Sequence, residues 1–219
     1  MRIYAFADEA SPAIDSQIAA MRRNGLNGLE IRGVDGENVS AIDHLPQTEL
    51  LKDKNYEILY LTGETDEFVL QMLGKYADKE FRSILDGELD LGGEEQKDID
   101  EKPELMQFVK ETLGDKIKEV RASRRLKTHP VCMTAGEGLS FEMEKYFKNF
   151  QMPTPVKADR ILELNTDHPA VQAMEAAMTS DRAKAELYAK ILYDQALLIA
   201  GLPLEDPSEY TDLVAELMK

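Results

Sequence analysis

The feature that most constrains the fold of this sequence is an acidic stretch near its middle. Residues 86–104 read DGELDLGGEEQKDIDEKPE, with nine carboxylate side chains against two lysines, two adjacent glycines and no apolar stripe. Such a composition buries too little apolar surface to fold by itself, and it lacks the fixed glycine turn and spaced ligands of a calcium loop. It predicts an acidic linker at residues 92–103, between separately folded parts.

The composition excludes several classes of function. The chain has a formal net charge of −16, and 43% of its residues are hydrophobic, which is enough for a packed core. Because an acidic surface repels phosphate groups, we expect no nucleic-acid and no membrane partner. There is no apolar run of about 20 residues and no signal peptide, which favours a cytoplasmic protein. Cys132 is expected to be an inert buried thiol, and His44, His129 and His168 are expected to have surface or capping roles rather than to bind a metal.

The amino-terminal segment predicts a parallel βαβ unit. A strand through Ile3 and Phe6 precedes a helix that starts near Ser11, and a second strand passes through Leu29 and Ile31. Residues 1–40 resemble the start of a sugar phosphate isomerase/epimerase of the TIM-barrel type. That resemblance implies an alternative function as an isomerase or epimerase, with Asp8, Glu9 and Glu30 near the site. The remaining strands of a barrel do not follow, so the segment is expected to be a fragment.

Residues 41–91 predict a compact αβαβ unit. A short helix around residues 48–52 is followed by a strand over residues 56–61, the amphipathic helix TDEFVLQMLGKY and the strand KEFRSI. Beyond the linker, residues 104–219 predict a mixed domain, so the overall class is α+β. Its helix PELMQFVKETLG precedes the strands KIKEVRASRRL and HPVCMTA, which are expected to pair. The helix LSFEMEKYFKNF, capped by Ser140, has too many large apolar side chains for one stripe.

The last sixty residues are predicted to be helical. A helix begins near Asp167, a long helix runs from Asp181 to Ala200, and a third is capped by Asp206. The last two helices have apolar stripes that a monomer of this size does not bury, whereas four helices from two chains would. We therefore expect a homodimer that charged replacements of Leu192 and Leu213 would dissociate.

Residues 41–219 closely resemble bacterial HtpG chaperones, the ninety-kilodalton heat-shock family. The match rests on six ordered blocks, among them IDHLPQTELLKDKNYEILYLT, IKEVRASRRLKTHPVCM and LYDQALLIAGLPLEDPSEY. The resemblance implies the end of a middle domain over residues 41–91 and a dimerisation domain over residues 104–219. It implies a molecular chaperone that binds unfolded client proteins as a homodimer. The family's ATPase domain, which uses ATP and Mg²⁺, is not found in this sequence, so the chain is expected to have no cofactor and not to be an enzyme.

The resemblance also assigns residues to two surfaces. The client-binding residues would be Phe68, Leu139, Met143, Tyr146 and Phe147. The dimer interface would contain Leu187, Ile191, Leu192, Leu198, Tyr210, Leu213, Val214 and Leu217.

Overall fold

The computed structural model describes residues 2–6, 45–49, 57–61, 69, 72–73, 75–76, 79–80, 82–83, 101–149 and 156–219. The chain divides into two compact units, Met1–Leu89 and Asp90–Lys219. Small antiparallel sheets occur in the first unit, and helices with a mixed sheet occur in the second. The predicted α+β class is confirmed. Within the described part of the chain, no helix is long and apolar enough to cross a membrane.

The first unit contains a three-stranded antiparallel sheet with β1 (Arg2–Phe6) at its centre. Its neighbours are β2 (Glu57–Leu61) and β5 (Arg82–Ser83), and Ala5 is paired with both Ile58 and Arg82. β3 (Lys75–Tyr76) and β4 (Lys79–Glu80) form a separate two-stranded ladder. A 3-10 turn covers Pro46–Thr48.

The pairing of β1 corrects the prediction of a parallel neighbour. Both edges of Tyr4 and Ala5 are occupied by antiparallel strands, so a parallel strand has no free edge there. Both partners come from residues 57–83, which are predicted to form a different unit from residues 1–40. An apolar run indicates a strand without indicating its partner. The predicted helix from Ser11 and the strand at Leu29 and Ile31 lie outside the described residues.

The second unit is built on a three-stranded mixed sheet. β8 (Arg160–Leu164) is the central strand, parallel to β6 (Glu119–Ala122) and antiparallel to β7 (Val131–Ala135). The predicted pairing of β6 with β7 is therefore wrong. β8 itself lies in a region that is predicted to be helical. Its five residues are all buried. Two of them, Arg160 and Glu163, are charged and interrupt the continuous apolar run by which a buried strand is predicted.

Five helices accompany this sheet in the described residues: α1 (Pro103–Leu113), α2 (Phe141–Asn149), α3 (Pro169–Ser180), α4 (Arg182–Ile199) and α5 (Pro207–Leu217). α1 contacts β6 and α4, while α4 also contacts β7, α3 and α5. The shared core contains Leu105, Val109, Met133, Leu162, Leu164, Met174, Leu192 and Ala196.

The predicted helix ends are confirmed by their capping contacts. The Ser140 hydroxyl accepts a hydrogen bond from the Met143 amide at 3.1 Å, and Asp206 accepts from the Ser208 and Glu209 amides at 2.8 and 3.1 Å. Gly201, with φ of +65°, follows α4 in a conformation that favours glycine. His168 caps α3, because its Nδ1 accepts a hydrogen bond from the Ala170 amide at 3.1 Å. The capping role expected for this histidine is confirmed.

Candidate functional site

α2 is held against the sheet through one buried carboxylate. Glu144 is 1% exposed, and its Oε1 and Oε2 accept hydrogen bonds from the Arg160 guanidinium at 3.1 and 3.2 Å. Oε2 also accepts from the Ala158 amide at 2.9 Å, and Lys148 lies 2.9 Å from Oε1. Burial opposes the ionisation of Glu144, but the hydrogen bonds from Arg160, Lys148 and Ala158 outweigh it and lower its pKa below the ordinary 4.5.

The large apolar side chains of α2 are mostly turned inward. Phe141 is among the largest fully buried side chains of the described residues, and the Arg160 guanidinium carbon lies 5.8 Å from its ring centroid. Met143 is only 9% exposed. Tyr146 and Phe147 are half-buried and meet edge to face, with ring centroids 5.9 Å apart. Burial of Phe141 explains why α2 has more apolar residues than one stripe requires.

The predicted client-binding residues differ in their accessibility. Leu139 is half-buried and packs against the core, and Met143 is buried, so neither forms an open apolar surface in this conformation. Tyr146 and Phe147 are partly accessible. Phe68 lies outside the described residues. Three neighbours of Phe68 that the sequence analysis did not assign to the client surface, Val69, Met72 and Leu73, are exposed, and Met72 is 89% exposed. Their spacing of three and four residues, which places them on one helix face, was the available signal.

A second buried carboxylate, Glu163, lies on β8 among polar groups. It accepts hydrogen bonds from the Ser123 hydroxyl at 2.8 Å and from Arg121 at 2.9 Å, and Arg125 lies 3.2 Å away. Cys132 lies 3.8 Å from the same carboxylate. Burial, followed by the negative charge of Glu163, raises the pKa of the Cys132 thiol well above its ordinary value. The expected inert buried thiol is confirmed, because such a thiol is protonated at neutral pH.

α5 packs on α4 without burying any residue of its own. Tyr210, Leu213, Val214 and Leu217 are all half-exposed. On a helix, positions 210, 213, 214 and 217 lie on one face. The apolar face of α5 is therefore only partly covered within one chain.

The predicted interface residues of α4 do not all lie on an accessible surface. Leu198 is 49% exposed and Leu187 is half-buried, whereas Ile191 and Leu192 are each only 4% exposed. Leu192 is part of the central core. The expectation that a charged residue at Leu192 would simply give monomers is corrected, because that charge would disrupt the core before it affected a subunit contact.

A cleft of about 190 Å³ lies between the end of α1, α4 and α5. Lys116 and Glu205 form an ion pair across it at 3.0 Å, and hydrogen bonding to Lys116 lowers the pKa of Glu205. Burial raises the pKa of Tyr193 to about 12. Burial also raises the pKa of Asp194, although Lys116 opposes the effect. The groups are arranged as a hydrogen-bonded helix contact, and no three His, Cys, Asp or Glu residues of the described ranges are placed to hold a metal.

Comparison with known proteins identifies the family of the chain. The family model described as Hsp90 protein matches residues 18–219. Chaperone protein HtpG from Clostridium acetobutylicum is 48% identical over 187 residues, which cover 84% of this chain and 30% of the relative. The HtpG of Halalkalibacterium halodurans is 46% identical over 187 residues, which again cover 84% of this chain and 30% of the relative. The HtpG of Natranaerobius thermophilus is 40% identical over 219 residues, or 98% of this chain and 34% of the relative.

These matches correct the expectation that the chain is not an enzyme. The Hsp90 match extends over residues 18–219 and one HtpG relative matches 98% of the chain, so the exclusion of ATP turnover is wrong. The chain spans about a third of the length of these relatives, and motifs missing from such a stretch exclude no activity. The isomerase alternative receives no support either, because the Hsp90 match begins within residues 1–40. On the length and identity of these matches, the chain belongs to the Hsp90 family.

Proposed function

We propose that this chain is a chaperone module that dimerises through α4 and α5 and binds partly folded client proteins. The observation that carries the proposal is the apolar face of α5, which includes Tyr210 and Leu213 and has no buried residue within one chain. Apolar side chains left half-exposed along a whole helix face are typical of a subunit interface. The name of the relatives, chaperone protein HtpG, agrees with this function.

The proposed subunit contact combines α5 with the accessible part of α4. Leu187 and Leu198 would join the α5 residues, since they retain accessible surface. Two such helices from each chain would bury one another's apolar faces as a four-helix bundle. The contact would be isologous, with the same residues on both chains.

The proposed client contacts are apolar side chains with accessible surface in each unit. In the second unit they are Tyr146 and Phe147 on α2, with Leu139 and Met143 contributing where α2 shifts from its present position. In the first unit they are Phe68 and its exposed neighbours Met72 and Leu73. Exposed apolar side chains of this kind bind unfolded chains because those chains also expose apolar surface.

Light scattering over a range of protein concentrations tests the dimer. We expect a dimer, and we expect Leu213→Asp to weaken association by about a hundredfold or more, because the interface would bury an unpaired charge. Thr211→Asp is the matched control, since Thr211 is an exposed residue of the same helix. This variant should associate as the unmodified chain does. A strictly monomeric unmodified chain would refute the proposed dimer.

Suppression of the aggregation of a heat-unfolded reporter enzyme tests client binding. Met72→Ser combined with Leu73→Ser should reduce the suppression at equal chain concentration. Met218→Ser is the control, because Met218 is also exposed but lies at the carboxyl end of the chain. Equal loss in both variants, or no suppression by the unmodified chain, would contradict the proposed client contacts.

A further inference from the structure

The cleft between the end of α1, α4 and α5 has an excess of negative charge. Its walls include the apolar residues Leu113 and Leu213 and two lysines, Lys116 and Lys190. Four carboxylates also line it: Asp194, Glu205, Asp206 and Glu209. Four carboxylates against two ammonium groups leave the lining with a net negative charge. All of these residues belong to the second unit of a single chain, so the cleft forms without a second subunit.

Two of the four carboxylates have partners in the structure. Glu205 pairs with Lys116 at 3.0 Å. Asp206 caps α5 by accepting hydrogen bonds from the Ser208 and Glu209 amides at 2.8 and 3.1 Å. The contact between the helices therefore accounts for Glu205, Asp206 and Lys116, and it leaves the carboxylates of Asp194 and Glu209 without a role.

Asp194 and Glu209 have no donor of their own. In the residues that the structure describes, neither carboxylate accepts a hydrogen bond or forms an ion pair. Asp194 is half-buried. Burial raises its pKa, and the negative charges of Glu209 and Glu205 raise it further against the attraction of Lys116. A carboxylate that is removed from water without a donor costs free energy, and a bound cation would offset that cost.

The hydroxyl of Tyr193 is a third group of the cleft without a partner. Tyr193 is 2% exposed and lines the cleft, and its hydroxyl forms no hydrogen bond with the described part of the chain. The Lys116 ammonium lies over the ring instead, 5.9 Å from its centroid. Burial raises the pKa of Tyr193 to about 12, and the carboxylates of Glu205 and Asp194 add to this effect while Arg160 opposes it. Because buried tyrosine hydroxyls usually have a hydrogen-bond partner, this one indicates a missing ligand.

We infer that the cleft binds a small organic cation, an alkylammonium or alkylguanidinium group, through Asp194, Glu209 and the Tyr193 hydroxyl. Both cations carry several N–H donors and no acceptor, and all three groups of the cleft have oxygens that accept. The alkyl stem would contact Leu113 and Leu213. A metal ion fits this lining less well, since no three His, Cys, Asp or Glu residues of the described ranges are placed to hold one. The cleft of about 190 Å³ has room for a short alkyl cation, because one water takes up about 30 Å³ of the liquid.

Amide chemical shifts of the isotope-labelled 219-residue chain test this inference. Titration with butylguanidinium chloride at neutral pH should shift the signals of Asp194 and Glu209 saturably. We expect a dissociation constant of about 1 mM or lower, as for a good ligand of this size. Butanol has the same stem without the charge and should give no saturable shift. Absence of a saturable shift with butylguanidinium, or an equal shift with butanol, would overturn the inference.

Removal of one charge provides the specific control. Asp194→Asn should weaken the binding of butylguanidinium by about tenfold or more, because a hydrogen bond between two charged groups is lost. Asp212→Asn makes the same charge change at an exposed residue of α5 outside the cleft and should leave the dissociation constant unchanged. Equal weakening in both variants would mean that only net charge matters, which would overturn a specific site.

Tyr193→Phe removes the unpartnered hydroxyl and keeps the ring. We expect it to weaken the binding of butylguanidinium by about threefold, the contribution of one hydrogen bond. Tyr188→Phe is the matched control, since Tyr188 is a partly buried residue of α4 that does not line the cleft. Binding to Tyr193→Phe as tight as to Tyr188→Phe would overturn the role of the hydroxyl.

The Asp194 carboxyl gives a readout that does not depend on affinity. A cation bound beside it favours the ionised form, so saturating butylguanidinium should lower the pKa that carbon NMR measures for this group. The same addition should leave the pKa of the exposed Asp212 carboxyl unchanged. An unchanged pKa of Asp194 in the saturated chain would overturn its contact with the cation.

Two sources supply this chemistry, namely free amines and the basic side chains of proteins. A blocked tripeptide with one central arginine distinguishes them. Binding of the tripeptide as tight as that of butylguanidinium would identify a protein side chain, whereas its failure to bind beside butylguanidinium would identify a free amine. Light scattering under the same conditions separates the cation site from the proposed dimer, because saturable binding to a strictly monomeric chain would support the site and refute the dimer.

Discussion

Glu144 on α2 and Arg160 on β8 form a two-pronged ion pair, with nitrogen to oxygen distances of 3.1 and 3.2 Å. Both side chains are buried, so the pair joins a helix to the central strand where water does not compete. β8 is fixed by its pairing with β6 and β7, so the ion pair attaches the nine residues of α2 to the best-supported strand of the sheet. The geometry of α2 therefore depends on this contact.

Glu144→Gln should lower the free energy of unfolding by about 3 kcal/mol, because it leaves the buried Arg160 charge without its partner. Urea unfolding followed by circular dichroism measures the change. Glu142→Gln on the same helix is the control, since Glu142 pairs with the partly exposed Lys145. The free energy of unfolding of this variant should fall by less than about 1 kcal/mol. Similar losses in the two variants would contradict the role given to burial.

The contribution of Glu144 should depend on pH. Its pKa is lowered in the folded chain because the hydrogen bonds from Arg160, Lys148 and Ala158 outweigh the effect of burial. A lowered folded pKa gives stability that is fully present above the unfolded value of about 4.3 and is lost as the pH falls through the folded value. The stability difference between the unmodified chain and Glu144→Gln should thus be constant near pH 7 and shrink at acid pH. A difference that grows at acid pH would contradict this sign.

Asp194 should show the opposite behaviour. Its pKa is raised, chiefly by burial and with opposition from Lys116, so the folded chain keeps this proton to a higher pH than the unfolded chain does. The charged form therefore costs stability above the unfolded pKa, and that cost disappears as the pH falls below it. Asp194→Asn should unfold at higher urea concentration than the unmodified chain at pH 7, with the gain vanishing near pH 4. Lower stability of the variant at pH 7 would show that the attraction to Lys116 dominates instead.

Leu192→Asp should unfold the second unit rather than only dissociate subunits. Leu192 is in the central core at 4% exposure, and an unpaired carboxylate there costs several kcal/mol. Leu213→Asp should retain the native circular dichroism spectrum, because Leu213 is half-exposed on α5. Thermal unfolding of both variants at the same concentration measures the difference. A native-like midpoint for Leu192→Asp would contradict its placement in the core.

The Cys132 thiol should react with a disulfide reagent only when the second unit opens. It is completely buried and its pKa is raised by burial and by Glu163, so the folded chain offers neither access nor thiolate. At pH 8 we expect a rate at least about a hundredfold lower in the folded chain than in urea-unfolded chain. Comparable reaction rates in the folded and unfolded chains would show that Cys132 on β7 is accessible.

The helices of the second unit could largely be predicted from the sequence, whereas the pairing of its strands could not. Asp206, Ser140 and Gly201 mark helix ends through local hydrogen bonds and backbone conformation, which depend on neighbouring residues only. β8 was missed because Arg160 and Glu163 made a buried strand look polar. The apolar periodicity that indicates a buried strand fails where buried charges find partners from distant elements.

The same distinction applies to the candidate sites. The sequence indicated that α2 has an excess of large apolar side chains and that α4 and α5 have apolar stripes. It did not indicate that Phe141 and Met143 face the core, or that Leu192 lies in the core while Leu213 remains accessible. Burial of a helix face depends on which element packs against it, and that element is distant in sequence.

By itself, the sequence determined the family, the α+β class and the limits of the main helices of the second unit. Those properties follow from composition and from interactions within a few residues. Only the tertiary structure decided that β8 lies between β6 and β7, that Glu144 and Glu163 are buried with arginine partners, and that α5 keeps an accessible apolar face. These depend on contacts between residues far apart in the chain, and a buried charge or a covered apolar face is defined only when its partner is in place.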